Sequence, residues 1–236
     1  MGPFPTTSWT LIASARPGDA SRGAALEELF SRYWKPLYFY LRRKGLTREA
    51  AEDAVQGFVA HLLEGDFPAR AAPDKGRFRA YVRVALDHYV ANLYAKESAR
   101  KRGGDHRFVP IDVVLAEREL PDTAADPLCA FEREWAIGVM ERAALRLRRE
   151  HEERHGPGRA SVILQFFELG RLASDSAPSY ATAAVESGLS VVQLKAALHR
   201  ARARFREILR DEVTPTLSEP ADVEAELSAL RRALEA

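Results

Sequence analysis

SYATAAVESGLSVVQLKAALHRARARFREIL, residues 179–209, reads as two helices joined at a glycine. Ser190 followed three residues later by Gln193 is a capping box that opens the second helix. From there Leu194, Leu198, Ala201, Phe205 and Ile208 recur at intervals of four, three, four and three, the spacing of one buried helical face. Gly188 is the joint expected of a helix-turn-helix. The remaining face carries amide, imidazole and guanidinium groups beside small residues, and residues 190–210 hold six Lys or Arg against one acid. A helix of this kind fits the major groove of DNA, where such groups reach base edges and phosphates. Its candidate contacts are Ser190, Gln193, Lys195, Ala196, His199, Arg200, Arg202 and Arg206. The plain alternative is a solvated basic helix; the glycine joint and capping box favour the reader of DNA.

Helical spacing extends outward over the rest of the chain, and alternating strand patterns are nearly absent, so the expected fold is all-α. Leu26, Leu29, Phe30, Trp34, Leu37, Tyr38 and Leu41 mark a first helix ending at Gly45, which Pro36 should bend or divide. Thr47 is the N-cap of a second, where Ala51, Val55, Phe58, Val59 and Leu62 share one face and Glu49, Glu52, Asp53 and Gln56 point outward. The turn-rich residues 66–76 follow as a loop, and helix resumes from Arg77 to about Arg102. Residues 109–135 hold seven acids and two bases among three prolines, placing an acidic linker at 105–127. Beyond it a helix runs to about His155 and ends at Gly156-Pro157-Gly158; a short apolar helix, SVILQFFELG, precedes the pair at Gly188. The chain closes on what reads as an independent helix with Pro220 in its first turn. The domains expected are 1–104, the linker 105–127, 128–213 and a C-terminal extension 214–236.

The helix from Arg77 joins basic charge to aromatic rings. Residues 77–107 contain eight Lys or Arg against three acids, interleaved with Phe78, Tyr81, Tyr89 and Tyr94. Cations that track a backbone beside rings that stack on bases suit single-stranded or opening DNA. At helical spacing the same aromatics also serve as core, so the cation cluster carries this reading more than any one ring.

Composition bounds the remainder. The 236 residues are 46% apolar with a net charge of only +1, enough for hydrophobic cores, so a nucleic-acid surface has to come from charge segregated along the chain. One cysteine, Cys129, excludes an internal disulfide framework and suits a reducing cytoplasm. No apolar run approaches the roughly 18 residues that a membrane span needs, and the N-terminus lacks a leader pattern, so the expectation is a soluble, unprocessed cytoplasmic protein without a membrane partner.

The ordered set of motifs resembles the extracytoplasmic-function family of RNA polymerase sigma factors. EAAEDAVQGFVAHLL resembles the second helix of sigma region 2, with its D-x-x-Q-x-F core at Asp53, Gln56 and Phe58. FRAYVRVALDHYVANLYAKESARKR is similar to the promoter-melting segment, and residues 179–209 to region 4, the −35 reader. TTSWTLI, YWKPLY and PADVEAEL resemble the ends of a subgroup often associated with serine/threonine kinases. The resemblance implies two helical domains, a region 2 bundle and a region 4 helix-turn-helix. It implies core RNA polymerase as partner, through the β′ clamp helices and the β flap, with Glu49, Glu52, Asp53 and Gln56 on the polymerase side. Promoter DNA, double-stranded and melted, is the second partner. At the −10 element the implied contacts are Lys75, Arg77, Phe78, Arg79, Tyr81, Arg83, His88, Lys96, Arg100, Lys101 and Arg102. An anti-sigma factor or a serine/threonine kinase is the regulatory partner implied, with no cofactor. Three positions depart from the family: Gly57 where an acidic or larger residue is usual, Asn92 for aspartate, and Thr182 for the capping glutamate. The last, with Ser187, should weaken the first helix of the DNA reader.

Two other classes fit some of the residues. A helix-turn-helix repressor or adaptor that never engages polymerase would share the region 4 features. An enzyme would need His151-Glu152-Glu153-Arg154-His155, a literal H-E-x-x-H, to hold zinc. That stretch is charged on every side and runs into Gly-Pro-Gly, so a solvated helix end is expected, with no metal site. No P-loop, nucleophile elbow or dinucleotide fingerprint occurs.

Overall fold

The computed structural model describes residues 20–64, 77–101, 126–168, 179–217 and 222–235, with side chains for all of these except 20–29, 63–64, 96–101 and 166–168. The described residues are helical throughout, without strands: α1 Ala20–Arg43, α2 Arg48–Glu64, α3 Phe78–Lys101, α4 Pro127–His155, α5 Pro157–Glu168, α6 Tyr180–Ser187, α7 Val191–Val213, a 3₁₀ turn Thr214–Thr216, and α8 Val223–Glu235. No described helix is long and apolar enough to cross a membrane. Contacts divide the chain into two units, residues 1–138 with 213–236, and residues 139–212. The expected linker at 105–127 lies almost wholly outside the described residues. The division itself falls within α4, so the first turns of that helix, and α8, group with the first unit rather than with the helix-turn-helix.

The first unit is an aromatic-rich bundle. Thr47 caps α2, its Oγ1 accepting from the Ala50 amide at 3.2 Å. Phe30 of α1 meets Phe58 of α2 edge to face, Tyr33 meets Phe78 of α3, and Tyr40 meets Phe131 of α4. Leu37, Val55, Val82 and Leu86 are fully buried among them. Each large apolar side chain so buried contributes roughly 1.5–3 kcal/mol. Pro36 is accommodated inside a continuous α1 rather than dividing it. The C-terminal helix is not independent: Glu226 and Leu230 of α8 are buried.

At the centre of that union stands Arg79, 1% exposed. Its Nε donates to Glu132 of α4 at 2.7 Å, its Nη1 to Glu226 of α8, and its guanidinium lies 4.2 Å from the Trp135 ring centroid. Arg77 Nε stands 3.0 Å from the other Glu226 oxygen, though off line for a hydrogen bond. One arginine therefore ties three helices together, with cation–π contact on its open face.

The second unit packs around α7. Leu194, Leu198 and Ala201 join Val162 and Ile163 of α5 and Ala183 and Ala184 of α6, while Ile208 joins Ala143, Leu147 and Leu164. The stripe read from the sequence is the buried one, with Phe205 packed at its edge. α4 ends at His155, before Gly156-Pro157-Gly158 as its sequence implies, and α5 starts directly at Pro157, which suits a first helical position because its missing N–H has no partner to lose.

Candidate nucleic-acid and partner interfaces

The helix-turn-helix is built by local chemistry. Ser179 caps α6, accepting from the Thr182 amide at 3.1 Å, with the two hydroxyls 2.9 Å apart. Thr182 thus takes part in the cap, so the helix start does not lack for the absent glutamate. Nor does Ser187 weaken its end, since the buried hydroxyl donates to the Ala183 carbonyl at 2.7 Å. Gly188 turns the chain at φ 66°, in the left-handed region glycine enters without strain, and its amide and that of Leu189 return to Val185 and Ala184. The capping box is reciprocal: Gln193 N–H donates to Ser190 Oγ at 3.2 Å, and Ser190 N–H donates to Gln193 Oε1 at 2.9 Å.

On α7 the sequence-derived contacts separate into two stripes. Lys195, His199, Arg202 and Arg206, at i, i+4, i+7 and i+11, are all exposed on one side. Gln193, Ala196 and Arg200 are exposed too but line a cavity on the other flank, beside α4 and α5. Ser190 and Gln193 spend side-chain groups on each other, and Lys195 Nζ lies 5.4 Å from the Tyr180 ring centroid. Val192, 78% exposed, adds an apolar side chain that charge counting misses.

On α2, Glu49, Glu52, Asp53 and Gln56 occupy i, i+3, i+4 and i+7 and form one outward face. Glu52 has a neighbour there, accepting from Arg48 Nε at 3.0 Å. Gly57 has a steric reason: a Cβ at this position would meet Tyr89 Oη at 2.5 Å. Tyr89 leans over α2 against Phe58 and His61, so any larger residue displaces it.

The set assigned to the −10 element is corrected in part. Phe78 is 0% exposed and Arg79 1%, both consumed by the core contacts above, so neither reaches solvent. Phe78 and Tyr81 do not present two rings together: their centroids are 6.5 Å apart, but only Tyr81 is part-exposed. Arg83 is held by Asp87, at 3.6 Å, and sits over the Tyr40 ring. Asp87 also accepts from Tyr40 Oη at 2.8 Å and from Lys44 Nζ at 2.8 Å, and that second bond holds the Lys44 amine above its ordinary pKa. Arg77 and His88 are exposed. Lys75 and Arg102, and the side chains of Lys96, Arg100 and Lys101, lie outside the described residues, as does the loop at 66–76.

His151 and His155 face each other with centroids 5.6 Å apart, yet no group of three or more metal-ligating residues occurs among the described residues. The end of α4 is not wholly solvated either: His151 Nδ1 is buried, and burial together with His155 and Arg154 holds its pKa below the ordinary value. Comparison with family models, with curated proteins and with solved structures finds no match to this chain.

Proposed function

We propose that the chain is a sigma factor of the extracytoplasmic-function type, a non-enzymatic helical protein that brings RNA polymerase to a promoter. The observation that carries this is the helix-turn-helix of α6 and α7, whose second helix holds an exposed stripe of Lys195, His199, Arg202 and Arg206 flanking its buried leucines. Cationic groups here bind backbone phosphate and imidazole reaches base edges, giving affinity and choice at the −35 element. The acidic face of α2 is the second support: four polar residues in register, standing on a rigid bundle, suit a basic or polar helix of a partner such as the β′ clamp. Among the described side chains, Arg77 just before α3 and Tyr81 and His88 on it are left to engage −10 DNA. The acidic segment at 105–127 then links the two DNA-reading parts, a kinase or an anti-sigma factor regulates the protein, and the cytoplasm is its compartment.

Run-off transcription with core polymerase across a promoter library tests the whole reading. Glu52→Arg with Asp53→Arg should abolish holoenzyme formation with helicity unchanged. A helix-turn-helix repressor or adaptor would bind DNA without engaging core polymerase, and that outcome would replace the sigma reading.

A further inference from the structure

A cavity of about 360 Å³ lies in the second unit among the end of α4, the start of α5 and the flank of α7. Its apolar side is formed by Ile163, Leu189 and Ala197, and its polar side carries four arginines, 154, 159, 200 and 204, with His151 and His155. The single carboxylate present, Glu150, is taken up: Arg204 Nε and Nη2 donate to its two oxygens, each at 2.8 Å. Arg204 is further neutralised by Glu207 at 2.8 Å. Arg159 spends its Nε on the Ser187 carbonyl at 3.3 Å, and neither it nor Arg154 or Arg200 forms an ion pair among the described residues, although Arg154 helps hold the Glu150 carboxyl below its ordinary pKa. His151 Nδ1 is buried without a hydrogen bond. Three guanidiniums without an ion pair, from three helices, thus line a recess whose volume is of the size that small molecules occupy.

We propose that this cavity is a binding site for a small phosphorylated molecule. Guanidinium forks match phosphoryl oxygens two at a time, and several around one recess fit a polyanion better than a single carboxylate. A duplex is the less suitable source, because the stripe of Lys195, His199, Arg202 and Arg206 is on the opposite flank of α7, whereas Arg154 and Arg159 belong to helices outside the helix-turn-helix. The site stands independently of the promoter reading, although Arg200 and Gln193 lie between the two surfaces, so occupancy would reach any DNA contact made there.

Protonation should accompany binding. The groups facing His151 are Glu150, Arg154 and His155 of its own helix, Arg159 of α5, and Arg200 and Arg204 of α7. Burial first, then His155 and Arg154, disfavour the imidazolium against the opposing pull of Glu150, and an anion in the cavity would shift that balance toward the protonated ring.

Calorimetric titration of the full chain with pyrophosphate is the test. Arg154→Gln and Arg200→Gln should each weaken binding about tenfold or more, the loss of a charge-assisted bond, while Arg231→Gln on α8 leaves it unchanged. Sulfate, whose charge is constant in this range, should bind more tightly at about pH 6 than at about pH 8, and His151→Asn should reduce that gain. Far-UV dichroism and melting curves of the same variants separate loss of binding from loss of fold. No pyrophosphate binding at about 10 mM, or equal weakening by Arg231→Gln, would overturn the site. Displacement of pyrophosphate by duplex DNA, with Arg154→Gln weakening DNA equally, would make the cavity a backbone-phosphate contact and defeat the small-ligand assignment.

Discussion

Arg79→Met is the substitution that most directly tests how the first unit is held together. Methionine keeps much of the aliphatic stem but removes the guanidinium, with its charge and its contact on the Trp135 ring. Glu226, 0% exposed, would then be left with Arg77 alone, which is 45% exposed and not aligned for a hydrogen bond. Glu132 would lose its 2.7 Å bond but is 28% exposed, so water compensates it in part. The dominant cost is the stranded buried carboxylate, about 3–5 kcal/mol when one partner of such a pair is removed. At roughly 2–4 °C per kcal/mol for a chain of this size, Tm should fall by roughly 6–20 °C. Adding Glu226→Leu should restore most of the loss, because an apolar pair replaces an ionic one. Denaturant unfolding followed through tryptophan fluorescence, with proteolysis at α8 as a second readout, measures both. If Arg79→Met costs under about 1 kcal/mol, or if the double variant is no better than the single, the hub does not anchor α8 and Arg79 is available for another role.

Four further outcomes follow from particular contacts. Gly57→Ala should lower stability by about 1 kcal/mol despite alanine's better helix propensity, since the new methyl meets the Tyr89 hydroxyl; in a Tyr89→Phe background the nearest atom becomes the ring carbon at 3.6 Å, and the same change should stabilise by about 1 kcal/mol. Ser190→Ala should cost about 1 kcal/mol through the lost cap, and Gln193→Ala should lower stability as well as alter base preference, which thermal melts beside a promoter selection distinguish. His151 has a folded pKa below its unfolded one, so its contribution is full above about pH 6.5 and is lost as pH falls through the folded value; urea stability should drop as pH falls below about 6.5, and His151→Leu should flatten that drop. Glu150, lowered chiefly by its bond from Arg204, should produce a second loss of the same sign in the more acidic carboxylate range.

Local rules carried the helix-turn-helix into the structure almost unchanged. Cap, glycine joint and buried stripe each involve residues within four positions of one another, and periodicity reports such contacts directly. The Arg79 hub shows where that legibility stops. Arg79 and Glu226 are 147 positions apart, and no local pattern marks a basic residue in a basic helix as the one that will be buried. The sign was nevertheless faintly present, in a glutamate on the apolar side of α8 among Leu227 and Leu230, which needs a buried cation if that face is to pack.

The same distinction explains how the DNA-facing set divided. Charge and helical spacing select residues on a surface, but which flank they occupy depends on what packs beside the helix. Arg200 and Arg202 look equivalent in the sequence, yet one lines the recess walled by α4 and α5 and the other stands in the open stripe. The His151 pair followed this logic from the other direction. Its charged surroundings read as solvent exposure, whereas the arginines near it come from three helices and line one cavity, which is the placement the proposed anion site rests on. A sequence gives the count of charges; only the fold gives the balance, and Glu150 bound to Arg204 is the pairing that leaves this recess positive.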